Sequence, residues 1–89
     1  MNTSPPIGAT TLDQLSLGAT GRVLALGNQG AERRRLFDLG ITPGTLIQSE
    51  VRSPLGDPVA YRVRNTLIAL RREQSQMIMI TLDLEETIV

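Results

Sequence analysis

The chain contains no cysteine and no histidine. Disulfide staples, thiolate chemistry and imidazole acid–base catalysis are therefore excluded. Zinc and copper sites built on soft ligands are excluded with them, as is a ferrous facial triad. Lysine is also absent: all nine basic residues are arginine, and nine acidic residues bring the formal net charge to zero. A nucleic-acid binder draws much of its affinity from phosphate neutralisation and normally shows a basic excess. With only two aromatics, Phe37 and Tyr61, the chain also has no stacking platform for bases. No stretch approaches eighteen consecutive apolar residues, and "MNTSPPIGAT" lacks the charged and apolar halves of a secretory signal. The reading is a cytoplasmic domain without its own membrane span.

What is present is ordinary for a globular protein, with hydrophobic residues at 40% and charged residues at 20% of an 89-residue chain. A chain this short supports one core, so its apolar strand residues must go inside. Residues 1–10, with Pro5, Pro6 and Gly8, read as a flexible leader, residues 11–82 as the folded domain, and residues 83–89 as a tail or strand extension. Thr11 and Gln14 have the spacing of a capping box over a helical turn from Leu12 to Ser16, which Gly18 ends. Val23–Leu26 reads as a first strand. The glycines after it lack the spacing of a nucleotide loop, and no Gly-Lys-Ser/Thr run occurs.

A helix is expected from Ala31 to Leu39, with Leu36 and Leu39 on its inner side. Gly40 is placed to be its left-handed C-cap, Ile41 to close the apolar contact across it, and Pro43–Gly44 to form the following turn. Uneven alternation from Thr45 to Ser53 predicts a curved or bulged strand. Val59, Tyr61 and Val63 share one face of the next, Asn65 takes a positive φ in a hairpin turn, and Ile68 and Leu70 return inward. "REQSQ" is a brief turn, and Ile78, Ile80 and Leu82 alternate with Met77, Met79 and Thr81 in the last strand. The fold class is mostly β: a small five-stranded barrel with a helix after the first strand and one or two short helical turns.

The order of these signals resembles the FeoA family, whose members are SH3-like barrels. The resemblance is carried by "LDQLSLGATGRVLAL", "RRRLFDLGITPGTLI" and "GDPVAYRVRNTLIALRREQSQMIMI". Within them Leu17–Gly18, Arg34–Arg35–Leu36, Asp38–Leu39–Gly40, Pro43–Gly44, Gly56–Asp57–Pro58 and Ala69–Leu70–Arg71 stand in the family's places. Asn65 departs from a frequent glycine and Ser75 from a frequent alanine. The resemblance implies a non-enzymatic accessory protein, without cofactor or metal, that binds FeoB, a membrane ferrous iron transporter with a guanine-nucleotide-binding soluble part. It would be recruited to the inner face of the plasma membrane through that partner. The same barrel resembles the regulatory module of metal-dependent transcriptional repressors, which is the alternative function.

The residues divide accordingly. Arg33, Arg34 and Arg35 place positive charge early in the helix, against its dipole, so they are candidates for docking to a partner. Glu32 relieves part of this, and Arg34 and Asp38 can pair at four-residue spacing, though in the less favourable order. Phe37 is a candidate interface anchor, and Met79 an adaptable contact that suits partner binding or weak self-association. Thr11, Gly18, Leu36, Asp38, Leu39, Gly40, Pro43, Gly44, Asp57, Asn65 and Leu70 are assigned to architecture, Asp57 as a turn former whose carboxylate bonds nearby amides. The scattered carboxylates lack the converging density of a calcium loop.

Overall fold

In the computed structural model, which describes residues 8–83, the chain forms one antiparallel sheet of six strands in the order β1-β6-β2-β3-β4-β5. The strands are β1 (Ala9–Thr11), β2 (Thr20–Leu26), β3 (Leu46–Arg52), β4 (Val59–Val63), β5 (Thr66–Leu70) and β6 (Ile78–Thr81). A 3₁₀ turn (Leu12–Gln14) follows β1, helix α1 (Gly30–Asp38) follows β2, and helix α2 (Arg72–Ser75) separates β5 from β6. Strands β2 to β6 turn residues toward a single core, in which Val23, Ile47, Tyr61, Val63, Ile68, Leu70, Ile78 and Ile80 meet Leu12, Leu15, Leu36 and Ile41. A flat sheet would present those residues in a plane; enclosing one cluster requires it to curl.

Two irregularities supply the bend. The β2–β6 register shifts between Val23 and Ala25, and the β3–β4 register shifts between Ser49 and Val51, where the uneven alternation predicted a bulge. Gly21 allows a third close approach. A Cβ there would lie 2.8 Å from Ile80 Cδ1 and 3.3 Å from the Thr81 carbonyl, so β6 packs where a side chain would stand.

Several expectations require correction. The sheet has six strands rather than five, because Ala9 and Thr10, assigned to the leader, pair with Thr81 and Ile80. Three residues that follow Pro5, Pro6 and Gly8 carry too little pattern for that pairing to be read. Thr11 makes no cap hydrogen bond; its hydroxyl donates to Asp13, and the Gln14 amide also donates to Asp13 at 3.1 Å. The intervening carboxylate outcompetes the capping box. The helical turn closes at Gln14, and "REQSQ" contains α2. Leu82 lies beyond β6 and is exposed, so the inward series stops at Ile80. Residues 1–7 and 84–89, the remainder of the expected leader and tail, lie outside the described residues.

The local turns follow the sequence closely. Arg64 and Asn65 both have positive φ, 49° and 69°, in the two-residue turn between β4 and β5. Thr45 donates to the Thr42 carbonyl at 3.0 Å across Pro43–Gly44, with Gly44 at φ 95°. The Gly18 amide, at φ 87°, donates to the Ser49 carbonyl.

Candidate docking site

Helix α1 gives the core only one fully buried side chain, Leu36, with Leu39 packed at its margin. Most of its surface is therefore free of any duty in the core. Its C-terminus is fixed by a Schellman motif: Gly40 N–H donates to the Phe37 carbonyl and Ile41 N–H to the Leu36 carbonyl, both at 2.9 Å. Gly40 has φ 96°, and the buried Leu36 and Ile41 supply the apolar contact that accompanies such a cap. The Arg64 side chain lies over this glycine, so the β4–β5 hairpin and the helix end are packed together.

The three arginines do not share a role. Arg33 is held internally: its guanidinium donates to the Leu26 carbonyl at 2.6 Å and stacks over the Phe37 ring at 4.9 Å from the centroid. It fastens the helix to the end of β2. The Arg34 and Arg35 side chains are exposed and, among the described residues, have no hydrogen bond or ion pair. The expected Arg34–Asp38 pair is not formed. Arginine preceding aspartate is the weaker order for a helical pair, and each side chain is well solvated. Phe37 stays 36% exposed beneath Arg33, at the surface rather than in the core.

Beside this surface runs a cleft of about 360 Å³ between α1 and β5, the strand that ends the sheet. Ala31, Glu32, Arg35, Leu36 and Leu39 form its helical wall, Ile68–Leu70 its strand wall, and Gln74 of α2 closes one end. Asn28 Nδ2 donates to the Gln74 carbonyl at 3.2 Å, tying the loop before α1 to α2. The cleft is mainly apolar, with the Arg35 guanidinium and the Glu32 carboxylate both among its lining, and its volume suits one or a few side chains of a partner or a small molecule.

The structure thus brings Arg34, Arg35 and Phe37 onto one helix and puts Arg35 at the cleft. It does not bring Met79 there. Met79 lies half-buried in β6 between Thr11 of β1 and Ala25 of β2. The cleft itself was not visible in the sequence, because its walls come from two segments far apart along the chain, α1 and β5. Its one local sign was Ala69, a small residue between inward Ile68 and Leu70.

Asp57 also differs from its expected role. Its carboxylate accepts the Arg72 amide at 2.9 Å, capping α2 from fifteen residues away rather than bonding amides of its own turn. Gln74 completes that end by accepting the Arg71 amide at 3.0 Å. Neither contact is local enough for a turn argument to find.

Comparison with known proteins agrees with this architecture. A profile of the FeoA domain matches residues 10–82. The Fe(2+) transport protein A/Fe(2+) transporter FeoB fusion protein of Porphyromonas gingivalis is 31% identical over 71 residues, which is 80% of this chain but only 8% of that relative's length. The solution structure of a FeoA protein from Chlorobium tepidum superposes with a TM-score of 0.78 at 31% identity, over 86% of this chain and 74% of that one. Stenotrophomonas maltophilia FeoA, solved with zinc and described as an SH3 domain protein, gives 0.71 at 27% identity, over 80% and 88%. IdeR of T. acidophilum gives 0.76 at 22% identity, over 91% of this chain and 37% of that one, a likeness of fold alone. With the profile covering nearly every described residue, this chain belongs to the FeoA domain family.

Proposed function

We propose that this chain is a non-enzymatic accessory domain that docks on the cytoplasmic part of a FeoB-type ferrous iron transporter and biases its conformational state. The observation that carries this reading is the P. gingivalis relative, in which a segment similar to this chain and a FeoB transporter are parts of one polypeptide. Fusion turns an encounter between two proteins into an intramolecular one, at an effective concentration set by the linker. It is useful only where the two parts act together. The docking face is α1, through Arg34, Arg35 and Phe37, with the adjoining cleft taking an apolar side chain. Free guanidinium forks beside an exposed aromatic are the side chains in which interface energy concentrates. Any effect on transport then requires unequal affinity for two states of the partner.

The test is a titration of labelled protein with the transporter's soluble domain and, separately, with the full transporter, in each nucleotide state. Wild type should bind at least one of them, and Arg34→Glu with Arg35→Glu should weaken binding by about tenfold or more while leaving the unfolding midpoint unchanged. Absence of binding to both preparations refutes the reading. Undiminished binding by the double variant moves the docking face away from α1.

A further inference from the structure

On the other side of Leu70 from the docking cleft lies a second cavity, about 250 Å³ in volume and polar in character. It is bounded by the 3₁₀ turn, the end of β3, the loop before β4 and the start of α2. Its floor is Val59, Leu70 and the ring of Tyr61. Four charged residues surround that floor: Arg52, Arg72, Asp13 and Asp57.

These charges cancel in number but not in engagement. Asp13 accepts from the Thr11 hydroxyl and from the Gln14 amide, one on each carboxylate oxygen. Asp57 gives Oδ1 to the Arg72 amide, and Oδ2 receives no hydrogen bond from the described residues. The guanidinium groups of Arg52 and Arg72, in contrast, have neither hydrogen bond nor ion pair among the described residues, although carboxylates line the same cavity. Tyr61 is 2% exposed, and burial raises its pKa, so the phenol stays protonated and adds no charge. The cavity therefore offers two unused guanidinium forks and one unused carboxylate oxygen over a short apolar floor.

We propose that this cavity binds a small zwitterion of the α-amino-acid type. The ligand's carboxylate meets Arg52 and Arg72, its ammonium group meets Asp57, and its side chain rests on Val59 and Leu70. Charge balance selects this class. A dianion would leave an excess of negative charge beside Asp13 and Asp57, and a cation would face two guanidinium groups. A zwitterion satisfies both ends and leaves the sum at zero. Size agrees, because cavities for drug-sized ligands span roughly 300–1,000 Å³ and this one lies below that range.

The experiment is an amide-resolved NMR titration of the ¹⁵N-labelled full chain at low salt with L-alanine, and with acetate and methylammonium as its separated halves. Alanine is expected to give saturable shifts at the amides of Gly56, Arg72 and Ser75 with millimolar affinity, at least about tenfold tighter than either half. Arg52→Gln and Arg72→Gln should each weaken alanine about tenfold. Asp57→Asn keeps an acceptor for the Arg72 amide, so the spectrum remains that of the folded protein while alanine falls to the level of acetate. The proposal is overturned if alanine shifts stay linear to the solubility limit, if acetate matches alanine in wild type, or if both arginine variants bind alanine undiminished.

Discussion

Replacing Gly40 by alanine puts the helix-ending motif to a quantitative test. At φ 96° an L-residue sets its Cβ against the following carbonyl, which costs about 1–2 kcal/mol. The methyl would also stand 3.3 Å from Arg64 Cδ and 3.7 Å from Val63 Cγ1. Arg64 is the far end of a flexible side chain and can swing aside, so this contact adds a smaller loss than the backbone does. The reduced freedom of the unfolded chain works in the opposite direction, but where native φ is positive the strain exceeds that gain. The net expectation is a destabilisation of about 1–2 kcal/mol, which in a domain this small lowers Tm by roughly 5–15 °C. Gly18→Ala is the control, because Gly18 has φ 87° and nothing within 4 Å of a Cβ. Urea unfolding followed by circular dichroism should give both variants an unchanged m-value and a lower midpoint, with Gly40→Ala the lower. A Gly40→Ala protein as stable as wild type, or more stable than Gly18→Ala, refutes the assignment of Gly40 as the positive-φ cap on which α1 depends.

Two further outcomes follow from contacts outside that motif. Arg62 holds Glu50 through two parallel bonds, one of them 2.8 Å, and this lowers the Glu50 pKa below the ordinary 4.5. A carboxylate whose folded pKa is depressed stabilises the fold above its unfolded value and loses that contribution as pH falls through the folded one. Glu50→Gln should therefore flatten the stability–pH profile below about pH 4.5, and because the pair is partly exposed the difference from wild type should shrink in molar salt. Phe37→Ala removes the surface on which Arg33 stacks and should cost about 0.5–1 kcal/mol in urea unfolding, an exposed-site cation–π value, in addition to weakening the docking titration.

What could be read from the sequence was what short-range physics decides. The Gly40 cap, the Pro43–Gly44 turn, the positive φ of Asn65 and the bulge in β3 each depend on a few neighbouring residues, and each is found where the pattern put it. The same reasoning failed where a local candidate met a nearer competitor, as when Asp13 took the Thr11 hydroxyl. It also failed where the partner was remote in sequence. β1 is three residues long and is defined by its pairing with β6, and Asp57 caps a helix fifteen positions away. The two cavities belong to this second class. Their walls are assembled by sheet closure, so no window of the sequence contains them.

The arginine run shows how the fold separates duties that the sequence leaves merged. Positive charge near the start of a helix is unfavourable by a few tenths of a kcal/mol per residue, but Glu32 occupies the first turn of α1 and Arg35 falls in the last, where the dipole favours it, so that cost falls on Arg33 and Arg34 alone. Arg33 returns that cost by bonding the Leu26 carbonyl, which would otherwise be left at the end of β2, and by covering Phe37. Arg34 and Arg35 return nothing within the described residues, and Asp38, one turn on, does not pair with them. Nor does the core require them, since Leu36 alone anchors the helix and helix-forming residues without charge would serve as well. The two guanidinium groups left without a side-chain partner among the described residues, Arg35 at the cleft and Arg34 beside Phe37, are what the docking proposal draws on. That asymmetry among three adjacent, chemically identical side chains is why reversal of Arg34 and Arg35 tests docking, whereas reversal of Arg33 would test the attachment of α1 to β2.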